Sequence, residues 1–269
     1  MPHILKCCRN GGQIKLTKIY HFSGTGNSLW SARKIARIIG GDYELINIGA
    51  EAYKSEIIIE AGAVVFVFPS YAYGLPLIVH RFVKNAVFKT PYAAAFVTYG
   101  TSPGGTLGAM RRILKKKGIA KLFFGRIPAV ENYLAIFGPS KAETVRKRVL
   151  MQEKATEEAA RCIVERRENK VSTLRFFSAF VSWLFSLGVK IFFKYYKVSD
   201  SCNGCGVCAK TCPVSAIVMK DGHPVFTPKC EHCQGCVDMC PLRVIKFWRV
   251  KFGAPGYRHP EITIGDLTR

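Results

Sequence analysis

Acidic residues are what this 269-residue sequence is shortest of: 18 Asp and Glu stand against 40 Lys and Arg, for a formal charge of +22. No Asp or Glu occurs between Glu60 and Glu131. So large a basic excess points to an acidic counterpart, whether nucleic acid, anionic lipid, an acidic protein or a phosphorylated ligand. The first 13 residues lack the apolar core and small-residue cleavage pattern of a secretory signal, so a cytoplasmic location is expected. In a reducing compartment the 11 cysteines read as metal ligands rather than a disulfide framework. Also missing are the phosphate loop G-x-x-x-x-G-K-[ST] and the dinucleotide fingerprint G-x-G-x-x-G, so direct use of NADH or NADPH is not expected. The 49% hydrophobic and 22% charged content excludes a disordered or collagenous chain and a polytopic membrane protein. The length suits one domain plus a smaller one.

Eight of the cysteines form two sets. Cys202, Cys205, Cys208 and Cys212 precede Pro213, and Cys230, Cys233, Cys236 and Cys240 precede Pro241. Each set reads C-x2-C-x2-C-x3-C-P, and the second repeats the first 28 residues later, with Val214 and Ile217 matching Leu242 and Ile245. This is an internal duplication, each half too small to fold alone. Three cysteines on one tight loop suit three corners of an iron–sulfur cube, and the fourth, displaced by the Cys-Pro turn, serves the other cube. Paired zinc sites are the rival, but they rarely show three evenly spaced cysteines before Cys-Pro. Gly204, Gly206 and Gly235 suit a backbone that wraps closely, and His232 reads as facing solvent.

Over 198–250 the sequence resembles a bacterial-type ferredoxin with two [4Fe-4S] clusters. The resemblance implies that Cys202, Cys205, Cys208 and Cys240 bind one cluster, and Cys230, Cys233, Cys236 and Cys212 the other.

The N-terminal part alternates. Apolar runs at 19–22, 63–68, 92–98 and 121–127 read as strands buried on both faces, with helices expected at 28–39, 75–85 and 105–117. Such alternation predicts a doubly wound α/β parallel sheet with its ligand at the carboxyl ends of the strands. The first strand runs into Ser23, Gly24, Thr25, Gly26, Asn27 and Ser28, whose hydroxyls and amides at a helix start form a phosphate cradle. The strand at 63–68 leads to Pro69, Ser70, Tyr71, Ala72, Tyr73 and Gly74. The next leads to Tyr99, Gly100, Thr101, Gly104 and Gly105. Aromatic rings there can cover a flat heterocycle while glycine backbone meets its polar edge. Asn132 and Tyr133 follow the last strand.

Together these loops resemble the FMN site of flavodoxins, over 16–165. The whole chain resembles the flavodoxin-ferredoxin fusion proteins of anaerobic bacteria and archaea. That implies a flavodoxin-like FMN-binding domain (16–165), an apolar helical linker (166–197), an α+β ferredoxin domain (198–250) and a tail (251–269). It further implies electron transfer between FMN and the clusters. Unlike acidic flavodoxins, the chain places ten Lys and Arg between Glu60 and Glu131, the interval of both ring loops. Cations beside the flavin would favour its reduced, anionic form, so a less negative potential is expected; the alternative, favoured for Lys115, Lys116 and Lys117, is that they sit on solvated helix faces.

Ser140 and Glu143 read as a capping box for a helix running to about Asn169, with Cys162 packed inside it. From 171 to 198 the chain is apolar and aromatic, but Arg175, Ser178, Ser182, Ser186, Lys190, Lys194 and Lys197 make one polar stripe. A helix buried between the domains is the favoured reading; peripheral membrane contact, docking on a partner and a membrane span are the others. The turn-rich stretch 253–260 reads as a tail packed on the surface, with Arg258 or His259 near a reacting group as the alternative. His21 reads as packed, and Cys7 and Cys8 carry no argument.

The function these readings favour is an FMN and iron–sulfur oxidoreductase, fed by an acidic low-potential donor such as ferredoxin and reducing an acceptor that the sequence does not identify. A non-enzymatic carrier and a redox sensor are the alternatives. Nucleic acid is not expected, because no binding module accompanies the basic residues.

Overall fold

The computed structural model describes residues 16–171 and 176–268, so Cys7, Cys8 and Arg175 lie outside it. Five parallel strands, β1 (Thr17–His21), β2 (Tyr43–Asn47), β4 (Ala63–Pro69), β6 (Tyr92–Tyr99) and β7 (Lys121–Pro128), form the main sheet in the order β2-β1-β4-β6-β7. Numbered within the sheet this is 2-1-3-4-5, the flavodoxin-like order. Three strands go beyond the sequence reading. β2 is an edge strand with exposed residues and no continuous apolar run, and β3 (Ile58–Glu60) pairs with β5 (Val87–Lys89) apart from the main sheet. β7, at the opposite edge, is only partly buried, contrary to the expectation of burial on both faces. Asn169 completes that edge, its side chain donating to Phe124 O and accepting from Phe124 N, both at 2.9 Å.

Alternation along β4 sends Val65 and Val67 to one face, and Val64, Phe66 and Phe68 to the other. The first face is covered by α1 (Asn27–Ile39) and α6 (Ala142–Val164), through Ile35, Ala36, Ala160 and Ile163. The second is covered by α3 (Leu77–Asn85) and α4 (Thr106–Lys116), with the short α2 (Ile48–Glu51) beside α3. α6 stops at Val164, short of Asn169, and the capping box is absent. Lys141 holds the cap position, and the Ser140 hydroxyl donates instead to Glu131 O. Cys162 is buried, as packing required.

A one-turn helix, α5 (Leu134–Phe137), follows β7. The segment after α6 forms α7 (Phe176–Phe192), a 3-10 turn and β8 (Tyr196–Val198). The ferredoxin unit comprises α8 (Val207–Lys210), the hairpin β9 (Ile217–Lys220) and β10 (His223–Phe226), α9 (Gly235–Asp238) and β11 (Ile245–Phe247), which pairs antiparallel with β8. The repeat is visible in the backbone. Left-handed φ values recur 28 residues apart at Gly204 and His232, Gly206 and Gln234, and Ser215 and Arg243. Apolar residues of this unit, among them Tyr196, Val214 and Phe247, are continuous with the core under α3 and α4.

α7 is not the buried helix that was favoured. Only Ser178 and Val189 are buried, and Phe176, Phe177, Phe180, Trp183, Leu184, Leu187 and Ile191 are exposed. Part of the polar stripe points inward, because small hydroxyls fit against glycine: Ser182 lies against Gly74 and Ser178 against Gly105.

The tail differs as well. It runs back across the α1 side of the sheet, ends in α10 (Ile264–Leu267), and is tied to Arg33 through Asp266 at 2.6 Å. His259 is fully buried, stacked on Trp30 with ring centroids 4.6 Å apart. The tail is thus a strap rather than a surface extension.

Candidate functional site

At the carboxyl ends of the strands lies a cavity of about 330 Å3. Three loops of the sheet, the segment after β7, the inner face of α7 and the loop of Cys233 enclose it.

The first loop joins β1 to α1. Its Ser23 Oγ accepts from Gly26 N at 3.0 Å, closing a turn that presents the start of α1. Ser28 Oγ and Thr98 Oγ1 are 2.8 Å apart, and Asn132 Nδ2 donates to Thr25 Oγ1 at 3.2 Å. Gln152 of α6 donates to Asn27 O and Ser31 Oγ, and Tyr257 of the strap donates to Asn27 Oδ1 at 2.8 Å. The backbone N–H of His259 adds a bond to Thr25 O at 2.9 Å. The loop is therefore held from α6, the strap and the sheet. The first amides of α1 have no intrahelical acceptor, so the cradle favours an anion at this point.

Of the residues expected here, Ser23, Gly24, Thr25, Asn27, Ser28, Pro69, Ser70, Tyr71, Ala72, Tyr73, Tyr99, Gly100, Thr101, Asn132 and Tyr133 line the cavity. Gly26, Gly74, Gly104 and Gly105 do not. A side chain at Gly26 would meet Ile262 of the strap, and one at Gly104 would meet Tyr73. Those at Gly74 and Gly105 would meet the serines of α7. The glycines serve close packing of protein on protein rather than approach to a ligand.

None of the ten cations between Glu60 and Glu131 lines the cavity: Lys115 and Lys116 are exposed on α4, as favoured for them, and Lys121 and Arg126 are exposed on β7. The acidic side chain that does line it is Glu131, whose Oε1 accepts from Asn132 N and Tyr133 N. The charged side chain in the cavity wall is thus a carboxylate rather than one of the ten cations.

Sequence reasoning missed Val181, Phe185 and Phe192, the apolar roof contributed by α7, and His232 and Gln234 beside Cys233. His232 does not face solvent. It is 2% exposed and lies between the hydroxyls of Tyr133, at 3.0 Å from Nε2, and Tyr196, at 3.0 Å from Nδ1. Burial holds its imidazole down to about 3 and pushes the Tyr133 phenol up to about 12. The Gln234 amide donates to Tyr196 Oη at 3.0 Å. The signal for these two was the repeat itself, which has glycine at both equivalent positions in its first half.

The eight cysteines sort into two crossed sets. Cys202, Cys205, Cys208 and Cys240 line one small space, and Cys212, Cys230, Cys233 and Cys236 line another. No three His, Cys, Asp or Glu among the described residues are drawn together as the ligands of a single ion. Burial pushes the thiols of Cys208 and Cys230 up to about 11, and those of Cys233 and Cys236 well above the ordinary value. Such a nest of buried sulfurs suits coordination, in which bound iron keeps them as thiolates. Backbone amides support the same state: Ala216 N donates to Cys212 Sγ at 3.2 Å and His232 N to Cys230 Sγ at 3.4 Å.

The second set reaches the cavity at Cys233, which lines it. A Cβ at Gly24 would lie 2.7 Å from Cys233 O and 3.2 Å from its Sγ, and a Cβ at Gly235 would lie 2.8 Å from Gly24 O. Cradle and ligand loop therefore touch backbone to backbone. The buried Glu231 carboxyl faces Leu77 and Ile78 at the start of α3, and burial pushes it up to about 7. Cys205, in the first set, is exposed.

A family model described as a 4Fe-4S dicluster domain matches residues 194–241. No protein of curated function matches the chain. Among solved structures, an azoreductase from Bacillus anthracis shares 9% identity and a TM-score of 0.39, over 56% of this chain and 99% of its own. An FMN-dependent NADH-azoreductase from the same organism, in complex with FMN, shares 12% and 0.38, over 55% and 99%. An NAD(P)H:quinone oxidoreductase from Methanothermobacter marburgensis shares 10% and 0.40, over 59% and 99%.

Proposed function

We propose, for a chain that joins a flavodoxin-like sheet to a 4Fe-4S dicluster domain, that it is an electron-transfer iron–sulfur flavoprotein acting as a ferredoxin-dependent reductase. The observation that carries this reading is the contact of Gly24 with Cys233 and Gly235, which sets a cluster-ligand loop directly in the wall of the cavity.

FMN fits this wall. Ser23, Thr25, Asn27 and the first amides of α1 would hold its phosphate; Tyr71, Tyr73, Tyr99 and Gly100 would face its ring. When bound, FMN supplies the conversion between one-electron and two-electron chemistry. Two [4Fe-4S] clusters fit the two crossed cysteine sets. The set containing exposed Cys205 is the entry side, and the set containing Cys233 is the cavity side. Exposed Lys210 and Arg243 near the entry set, within a chain of charge +22, favour an acidic low-potential donor. Val181, Phe185 and Phe192 keep water from one side of the cavity, and the buried Tyr133–His232–Tyr196 chain fixes the wall beside Cys233.

The test is an anaerobic count of iron, acid-labile sulfide and released flavin per chain, followed by reduction with a photoreduced ferredoxin. About eight irons, one FMN and reduction of both centres are expected. Zinc in place of iron, or clusters that take up no flavin when FMN is added, would overturn the reductase reading and leave a carrier or a sensor.

A further inference from the structure

A helix of a water-soluble domain buries one apolar stripe and turns a polar side to water. α7 is apolar on both sides: inward, Val181, Phe185 and Phe192 roof the cavity beside Ser178 and Ser182. The outer side presents Phe176, Phe177, Phe180, Trp183, Leu184, Leu187 and Ile191, from 46% exposed at Leu187 to 81% at Phe176. At 100° per residue these seven fall within an arc of roughly 120°. Ile136 and Phe137, at 66% and 54% exposed, line the same cavity as Val181 and Phe185 and extend the apolar surface to its rim.

Charge identifies what covers this face. No acidic residue lies between Glu168 and Asp200, while Lys190, Lys194 and Lys197 are exposed at the carboxyl end of the helix. Tyr195, 53% exposed, stands among them. Aromatic side chains flanked by lysines match the boundary between acyl chains and anionic headgroups. A second copy of the chain would bring the same lysines and another net charge of +22 against the patch. The segment Phe176–Tyr195 is long and apolar enough to cross a bilayer, yet its inner side is committed to Gly74, Gly105 and the cavity. It therefore lies along a surface rather than through one.

We infer that α7 is an interfacial anchor, which seats the protein on an anionic phospholipid surface through its outward aromatic face and Lys190, Lys194 and Lys197. The inference stands on the exposure of α7 and does not depend on the flavin assignment.

Full-length protein would be floated with vesicles of phosphatidylcholine, with and without phosphatidylglycerol. Binding is expected with the anionic vesicles, weakened by salt. Replacing the three lysines with glutamine is expected to lower the partition coefficient by roughly a hundredfold. The triple variant Phe180→Ser, Trp183→Ser, Leu187→Ser should lose binding while keeping its iron content and circular dichroism. In a Trp248→Phe chain, Trp183 is the exposed indole, and its emission should shift to the blue on the vesicles. No flotation with anionic vesicles would overturn the inference. So would binding that survives both triple variants, or flotation with unchanged Trp183 emission. Self-association in solution that the serine variant abolishes, without vesicle binding by the parent chain, would assign the face to a second copy instead and equally overturn it.

Discussion

His232 and Gln234 hold left-handed backbone positions, φ 55° and 62°, where the first half of the repeat has Gly204 and Gly206. An L-residue there costs about 1–2 kcal/mol. The second half accepts that cost because these side chains, and not hydrogens, reach Tyr133 in the cavity wall and Tyr196 behind it. His232→Gly should therefore leave the iron content unchanged while weakening flavin retention by about tenfold, the loss of one or two buried hydrogen bonds. Equilibrium dialysis beside an iron assay would check this, and parallel loss of iron would refute it. His259 makes a second prediction. Burial lowers its imidazole to about 4, with Glu261 the nearby charge opposing the shift and Lys34 lying over the far partner, Trp30. A histidine lowered on folding contributes fully above its ordinary 6.5, and that contribution is lost as pH falls toward 4. The strap should lose roughly 2 kcal/mol between pH 7 and pH 5. Denaturant midpoints at the two values, compared with those of His259→Phe, would show whether the slope belongs to this residue.

Among the elements, the buried strands were the most legible. β4 and β6 are continuous, nearly wholly apolar runs covered on both faces, too short for helices of ordinary length. β2 escaped because an edge strand half in water has a mixed pattern. α7 was readable as a helix but not as to which side faces in, since periodicity gives the angle of a stripe and not its direction. What decides the direction is the partner surface. The space that side chains at 74 and 105 would take is filled by Ser182 and Ser178, so the side of the helix bearing these serines packs inward. Gly74→Val would drive a side chain into Ser182 and lift the helix. A loss of about 1–3 kcal/mol is expected, with new cleavage between Val181 and Phe185 in limited proteolysis. Unchanged thermal stability and cleavage would show that the helix is held elsewhere.

At the scale of the molecule, the repeated cysteine spacing carried the resemblance to a two-cluster ferredoxin, and that resemblance implied the crossed sets that line the two spaces. The alliance of the two units was not legible, since it rests on contacts between residues more than 200 positions apart, such as Gly24 with Cys233 and Asn27 with Tyr257. With a core continuous from the sheet into the ferredoxin unit, the two should fail together. Anaerobic chelation of iron is expected to release bound flavin and lower the melting temperature by several degrees or more, as the wall at Cys233 loosens. Flavin fluorescence recorded during chelation would follow it. Flavin retained by an iron-free chain of unchanged melting temperature would show that the units are independent.

The meeting of Gly24 and Gly235 carries one more consequence. A side chain at Gly24 would need the space that Cys233 fills, and one at Gly235 the space that the backbone of Gly24 fills. A ferredoxin module borrowed from another protein, bearing any side chain at that place, would be held off by the carbonyl of Gly24 however well its own cubes assembled. The two halves can be exchanged only as a matched pair, so shuffling of modules is resisted here more strongly than drift in either sequence.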